Sequence, residues 1–269
     1  MQFSVLMSVY YKEQSGFLCQ ALNSVFNQTL RTDEVVLVKD GPLTKELDDA
    51  IEKYQEQYPE LKVIKLAKNG GLGKALNEGL KHCSFDIVAR MDTDDISKPD
   101  RFEKQIKFLE QHPEIDVVSS WIDEFENNIN NVKSTKKLPE KHTDIYKFGK
   151  KKCPVNHPTV VFRKHAVENV GSYLHFPLFE DYYLWVRLLQ NGAKFYNIQE
   201  SLLYFRLSPN MFKRRGGIKY GLDEIRLQNK FFSMGFINLP TYIYNVIIRF
   251  TTRIIPNKLR ECIYLKLLR

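Results

Sequence analysis

The sequence predicts an α/β fold: a mostly parallel central sheet flanked by helices, followed by a helical C-terminal extension. Three observations predict it. Short apolar runs of β type alternate with helical segments through the first hundred residues, and strands separated by helices of this length pair in parallel through right-handed crossovers. Polar turns close those runs at Tyr10-Tyr11-Lys12-Glu13, Lys39-Asp40-Gly41 and Asp92-Thr93-Asp94-Asp95. In parallel sheets ligands bind beyond the carboxyl ends of the strands, so the three turns should share one functional rim. From Ile218 the pattern is helical to the end, with a break at Pro256.

Each element has its own signal. Phe3 to Tyr10 is an apolar β-type run. Ser15 is placed to cap a helix whose apolar residues Leu18, Ala21, Leu22, Val25 and Phe26 recur at helical spacing. Glu34 to Val38 is a second strand, and a polar helix follows from about Thr44 to Gln57. Lys62 to Leu66 is a third strand; after Asn69-Gly70-Gly71 comes a helix carrying Leu72, Leu76 and Leu80. Asp86 to Arg90 is a fourth strand, and Pro99 starts a helix bearing Phe102, Ile106 and Leu109. The second half is less regular. Asp116 to Trp121 reads as a strand, and the polar, basic stretch Asn127 to Lys152 as a long loop or partly ordered insertion. Thr159 to Phe162 is a short strand, Phe179 to Gln190 an amphipathic helix ended by Asn191-Gly192, and Lys194–Ile198 and Leu202–Leu207 two further strands.

Composition narrows the class. The chain has 269 residues, 43% hydrophobic and 27% charged, which suits one or two globular domains and excludes a disordered, collagenous or mostly membrane-spanning chain. Lysine and arginine number 40 against 32 acidic residues, a net charge of +8. That excess suits an anionic partner: nucleic acid, a nucleotide or an anionic membrane surface. Cys19, Cys83, Cys153 and Cys262 form no C-x-x-C pair, so free thiols in a reducing cytosol are expected rather than zinc. The N-terminal apolar run lacks a basic n-region and reads as a strand, not a signal peptide.

Several side chains carry chemistry. Asp92, Asp94 and Asp95 follow a buried strand. Carboxylates so close repel one another, and a hard divalent ion relieves the conflict; Mg²⁺ takes one or two carboxylates together with substrate phosphates. The plain alternative is a solvated turn capping the next helix. Asp40 either accepts hydrogen bonds from a base or ribose or makes an Asx-turn before Gly41. Asn69 to Lys74 is not a Walker loop; its glycines, helix N-terminus and Lys74 either suit a diphosphate or form a plain turn with a solvated lysine. Glu180-Asp181 opens a helix, where acids are ordinary dipole partners; Phe179, Tyr182, Tyr183 and Trp185 around them would raise a carboxylate towards base strength. His157 has either a structural or a site role, and Arg206 pairs with phosphate or with a surface carboxylate.

Taken in order, SVLMSVYYKE, VVLVKDGP, KNGGLGKALNEGL, ARMDTDDIS, PVNHPTVVFRK and FEDYYLWVRLLQNG resemble the family-2 glycosyltransferases with the Rossmann-like GT-A fold, over roughly residues 1–210. The nearest likeness is to bacterial enzymes building O-antigen and exopolysaccharide repeat units, including those of the amylovoran type. The resemblance implies a catalytic domain over 1–215, with a nucleotide-sugar half at about 1–112 and an acceptor half at about 113–215, and leaves 216–269 as a helical, basic segment. It implies Mn²⁺ or Mg²⁺ on Asp94 and Asp92, with Asp40 on the base or ribose. Tyr10, Glu13, Lys74 and Arg206 complete the expected donor site. Asp181 would be the general base, with His157 and Glu180 as acceptor contacts or supports.

The implied reaction moves one hexose from a nucleotide sugar, UDP-galactose or UDP-glucose before dTDP-rhamnose, to a polyprenyl-diphosphate-linked N-acetylhexosamine. Single displacement inverts the anomeric centre and gives a β-glycoside. The processive members' Q-x-x-R-W motif is absent, and Leu203-Tyr204-Phe205-Arg206 stands near its place, which favours one sugar per acceptor. The competing readings are a nucleotidyltransferase, which also needs paired carboxylates, and a nucleic-acid-binding module, which should show a basic-aromatic stripe that is not seen; no nucleic-acid partner is expected. From Thr241 onward, Arg249, Arg253, Lys258, Arg260, Lys266 and Arg269 face only Glu261 and are interleaved with apolar residues. That pattern suits helices lying in a membrane interface, a cytoplasmic protein peripheral to the inner membrane, or else helices packed on the catalytic domain.

Overall fold

The computed structural model describes residues 1–208 and 216–254. The chain runs β1 (Phe3–Val9), α1 (Ser15–Phe26), β2 (Glu34–Lys39), α2 (Lys45–Gln57), β3 (Leu61–Lys65), α3 (Leu72–His82), β4 (Ile87–Arg90), β5 (Ile96–Ser97) and α4 (Arg101–Gln111). It continues through β6 (Val117–Phe125), β7 (Ser134–Lys136), α5 (His142–Gly149), a 3₁₀ turn (His157–Thr159), β8 (Val161–Arg163), α6 (Lys164–Asn169), α7 (Glu180–Gln190), β9 (Phe195–Arg206), α8 (Ile218–Ser233) and α9 (Leu239–Ile254).

One mostly parallel sheet spans these elements in the order β3-β2-β1-β4-β8-β6-β9-β5, with β7 on β6. β1, β2, β3 and β4 are mutually parallel, as are β6 and β9. β8 enters antiparallel between β4 and β6, and the short β5 and β7 pair antiparallel with β9 and β6. Side chains alternate across a strand, so the sheet divides two apolar layers. Phe3, Val5, Met7, Val9, Val35 and Leu37 pack with α1, α2 and α4; Leu6, Val36 and Val38 pack on the other side with α3, α7 and α8. Gly79 lets α3 lie close on that face, because a Cβ there would stand 2.7 Å from Val38 Cγ2.

The N-terminal half follows the sequence reading closely, with small differences at the helix starts. The residue flanking α1 is Gln14, and Ser15 is already helical. α4 begins at Arg101 behind Pro99-Asp100. The second half departs further. Asn127 to Lys152 contains β7 and α5, and the two strands expected around residues 194–207 are one twelve-residue strand, β9.

The C-terminal helices pack in sequence onto the body. α8 docks by Tyr220 against Phe179 and by Phe231 against Tyr182, with ring centroids 5.1 and 5.0 Å apart. α9 docks on α8 through Arg249 and Arg253, which grip the buried Glu224 at 2.7 and 2.8 Å, and through Asn245, which donates to Gln228 Oε1. No helix among the described residues is long and apolar enough to cross a membrane. Cys19, Cys83 and Cys153 are free thiols. The expected domain boundary near 215, the break at Pro256, Cys262 and the basic residues from Lys258 onward lie outside the described residues.

Candidate active site

The three polar turns meet because β1, β2 and β4 are adjacent parallel strands. Asp40 N donates to Val9 O at 2.8 Å, and Thr93 Oγ1 donates to Glu13 Oε2 at 3.1 Å. The three turns therefore stand side by side at one end of the sheet.

Carboxylate oxygens of Asp92, Asp94 and Asp95 lie within 4.8 Å of one another. Asp92 is half-buried and pairs with Arg90, which is 1% exposed and whose Nε and Nη1 find no hydrogen-bond partner among the described residues. Burial, with the charges of Asp92 and Glu13, pushes Asp94 up to about 7. Asp95 is wholly buried and is raised well above the usual range by burial and its two neighbours. One of its oxygens accepts the Arg206 amide at 2.8 Å; the other, Oδ2, has no partner among the described residues. Glu13 is also raised, by burial first. This is an all-oxygen donor set whose burial and crowding resist full ionisation without a counter-cation, which fits a hard divalent cation better than a soft one.

Arg206 braces this turn. Its Nε donates to Asp94 O at 2.8 Å and one terminal nitrogen to Gln20 Oε1 at 2.6 Å, and the guanidinium lies 4.0 Å from the Phe17 ring and 4.6 Å from that of Phe125. The two hydrogen bonds thus go to the protein. Arg101, fully buried behind, donates to Arg90 O at 2.6 Å and to Ser97 Oγ at 2.9 Å, fixing the strand end below the acids.

Asp40 is buried and faces the glycine turn. Its Oδ1 accepts Gly70 N at 2.7 Å; its Oδ2 accepts Gly71 N and Asn69 Nδ2, both at 3.0 Å. Gly41 makes this approach feasible: its φ is +87°, and a Cβ would stand 2.5 Å from Asn69 N. Lys74 is exposed in the first turn of α3, with its stem beside Gly70. Tyr10 is 36% exposed, edge-on to Tyr11.

The N-terminus of α7 stands against that of α3: a Cβ on Gly73 would come within 3.1 Å of Glu180 Cγ. Burial and the neighbouring Asp181 raise Glu180. Asp181 is half-buried, and its Oδ1 accepts the Tyr182 amide at 2.7 Å. Of the aromatic residues expected to surround the pair, Trp185 packs inward on His157, and the Tyr182 hydroxyl donates to Gly149 O. His157 shares a 3.0 Å hydrogen bond with the Tyr173 hydroxyl; burial, with Arg90 nearby, holds its pKa well below the usual value, so it is neutral. The Tyr173 hydroxyl, raised by burial, also feels Arg90, Asp181 and Asp92, which links the acidic turn to α7.

The loop between α6 and α7 is tied down at its start. Arg187 donates to Val170 O and Ser172 O, and Asn77 exchanges hydrogen bonds with the Tyr173 backbone at 2.6 and 2.8 Å. Arg90, Tyr173, Asn77 and Arg187 were not singled out from the sequence. Arg90 had a visible signal, a charge at the end of the apolar strand Ile87–Arg90; the others depend on contacts between distant segments.

The chain is 43% identical over 269 residues to an uncharacterized glycosyltransferase of Haemophilus influenzae, covering 100% of both chains. It is 41% identical over 268 residues, covering 100% of this chain and 97% of the other, to the Escherichia coli UDP-Gal:alpha-D-GlcNAc-diphosphoundecaprenol beta-1,3-galactosyltransferase. It is 41% identical, with 98% of each chain covered, to the amylovoran biosynthesis glycosyltransferase AmsE of Erwinia amylovora. Among solved structures, the mannosyltransferase PcManGT from Pyrobaculum calidifontis, in complex with GDP-Man and Mn²⁺, superposes with a TM-score of 0.66 at 17% identity, covering 99% of this chain and 70% of that one. S. aureus TarS in complex with UDP-GlcNAc also gives 0.66, at 20% identity, covering 94% of this chain and 72% of that one. Residues 4–171 match Glycosyl transferase family 2, and with these full-length relatives the chain belongs to that family.

Proposed function

We propose that this glycosyltransferase is a metal-dependent, inverting hexosyltransferase. It moves one hexose from UDP-galactose or UDP-glucose to a polyprenyl-diphosphate-linked N-acetylhexosamine and forms a β-linkage in an O-antigen or exopolysaccharide repeat unit. The observation that carries this reading is the 41% identity, along the whole chain, with an enzyme whose name specifies UDP-Gal and GlcNAc-diphosphoundecaprenol.

The residues support a division of labour between the donor half, about 1–112, and the acceptor half. Asp40 holds the Asn69–Gly71 turn as the floor on which the base and ribose rest, and Tyr10, Glu13 and Lys74 border the nucleotide and its diphosphate. Asp94, helped by Asp92, would hold Mn²⁺ or Mg²⁺, which supplies positive charge opposite the departing diphosphate. Arg206 keeps Asp94 and Asp95 in place through the two backbone contacts described above. Asp181 takes the proton of the acceptor hydroxyl as that oxygen bonds to the anomeric carbon and the bond from that carbon to the diphosphate oxygen breaks. Neutral His157 and Glu180 support the acceptor side. Work on a polyprenyl-linked acceptor places the protein at the cytoplasmic face of the inner membrane, peripheral to it.

Incubation with labelled nucleotide sugars and a short-chain lipid-diphosphate N-acetylglucosamine tests this. We expect galactose or glucose transfer with release of UDP, loss of turnover in excess chelator with recovery on adding Mn²⁺ or Mg²⁺, and no turnover for Asp94→Ala. Release of pyrophosphate would mean nucleotidyl transfer instead, and full activity in excess chelator would remove the metal from the scheme.

A further inference from the structure

The helix α9 is built the wrong way round for a surface helix. Of its side chains, Leu239 is 53% exposed, Ile243 48%, Tyr244 52%, Ile247 58% and Ile248 41%. Leu239, Ile243 and Ile247 follow at i, i+4 and i+8, with Tyr244 and Ile248 on the adjoining row, so they form one continuous outward stripe. The one amide side chain and the two charged side chains of α9 point inward. Asn245 is 2% exposed and donates to Gln228 Oε1 and Lys150 O. Arg249 and Arg253, the only charged residues in α9, both bind Glu224, which is itself 1% exposed, and Arg249 also donates to Lys151 O. The exposed positions of α9 therefore carry no charge.

The geometry points to this stripe as the surface by which the protein lies on an anionic lipid bilayer, with α9 parallel to the membrane plane. This rests on the proposed lipid-linked acceptor and adds which face meets the lipid. Three features favour a bilayer. The stripe is amphipathic at its margin: Tyr244 carries a hydroxyl, and the Lys151 ammonium lies 5.2 Å from its ring, an arrangement suited to the headgroup boundary. Beyond α9 the sequence carries Lys258, Arg260, Lys266 and Arg269 against Glu261 as its single acid, in a chain of net charge +8, which complements anionic headgroups. Among the described residues no helix is long and apolar enough to cross a membrane, and an outward apolar face on a helix of that kind meets lipid by lying on it. The basic residues within α9 are not the membrane contacts that the sequence pattern suggested. They fasten the helix to α8 and so turn its apolar side outward.

The test uses the full chain, vesicles of phosphatidylglycerol and phosphatidylethanolamine, and a double variant, Ile243→Asn with Ile247→Asn. Both positions are exposed, so the fold should survive, which circular dichroism and thermal melting check. Wild type should float with the vesicles at low salt and less at high salt, and the double variant should lose at least about fivefold in the floated fraction. Independently, tryptophan fluorescence of Ile247→Trp should shift to shorter wavelength when vesicles are added. Equal flotation of wild type and double variant would overturn the inference. So would a wild type that stays in solution as a concentration-dependent dimer lost in the double variant, because a second copy would then cover the stripe. A wild type that stays in solution while the double variant melts at lower temperature would equally overturn it, since the stripe would then be covered from within the chain. Transfer to a short-chain, water-soluble acceptor should be the same in both proteins. Failure of that transfer in wild type would count against the proposed reaction, while flotation would still report on the stripe.

Discussion

Replacing Asp40 by asparagine isolates what its carboxylate does. Three donors converge on it: the Gly70 amide on Oδ1 at 2.7 Å, and the Gly71 amide and Asn69 Nδ2 on Oδ2 at 3.0 Å. Asparagine has one acceptor oxygen. Its better orientation keeps that oxygen on Gly71 and Asn69 and turns the amide nitrogen towards the Gly70 N–H, donor against donor. A hydrogen bond to a charged group contributes about 1.5–3 kcal/mol net, and the remaining two lose their charge assistance. Because the turn is half-buried and water recovers part of the loss, the cost should be about 2 kcal/mol. In a chain of this size that is roughly 4–8 °C in Tm. Differential scanning calorimetry reads the stability, and isothermal titration with UDP reads the turn as a nucleotide floor. UDP affinity should fall with Tm, since the Gly70 amide no longer has its anchor. A variant that melts within about 1 °C of wild type and binds UDP unchanged would refute the reasoning. A lower Tm with unchanged UDP binding would keep the turn and detach it from the nucleotide.

Two further expectations follow from the same geometry. Asp181→Asn keeps a hydrogen-bond acceptor at the start of α7, so the protein should fold and bind UDP normally while turnover falls about 10²-fold or more; near wild-type turnover, with loss in Glu180→Gln instead, would move the base to Glu180. Burial alone would raise Glu34, but Lys62, Ser4 and the Ser84 amide and hydroxyl outweigh it and hold it at about 2. A depressed carboxylate stabilises the fold fully above its unfolded pKa of 4.5 and loses that contribution as pH falls towards 2. With the half-exposed lysine screened, urea titrations should show about 2 kcal/mol of acid-sensitive stability in that window, absent in Glu34→Gln.

What could be read in advance depended on how local the cause was. The strands β1 to β4 and the helices between them follow from apolar runs and helical spacing within one segment, and the rim followed from their parallel order. α5 was missed because its eight residues bury only Ile145 and Gly149, too few for a periodic signal. β7 is three half-buried polar residues held by pairing with β6. β9 looked like two strands because Gln199 and Glu200 interrupt its apolar pattern, where the register with β6 shifts. In the site, the crowding of Asp92, Asp94 and Asp95 was visible because they are neighbours in sequence. The hold of Asp40 on Gly70 and of Arg206 on the acidic turn was not, because each joins segments that only the folded sheet brings together.

The hydrogen bond from the Arg206 amide to Asp95 spans 111 residues, and among the described residues β5, next to that acid, pairs only with β9, as Ile96 with Tyr204 and Ser97 with Leu203. This sets an order of assembly on the ribosome. The strands β1 to β4 contact one another within the first ninety or so positions of the chain, so they can collapse early, as short-range contacts generally do. The acidic turn at their edge then waits, solvated and unclosed, until β9 has been synthesised and threaded beside β6. A nascent chain therefore carries a formed sheet before it carries a closed acidic turn. Release of a chain that stops short of β9 would leave Asp95 in water and β6 as a bare edge, a species suited to aggregation rather than to sequestering nucleotide sugar.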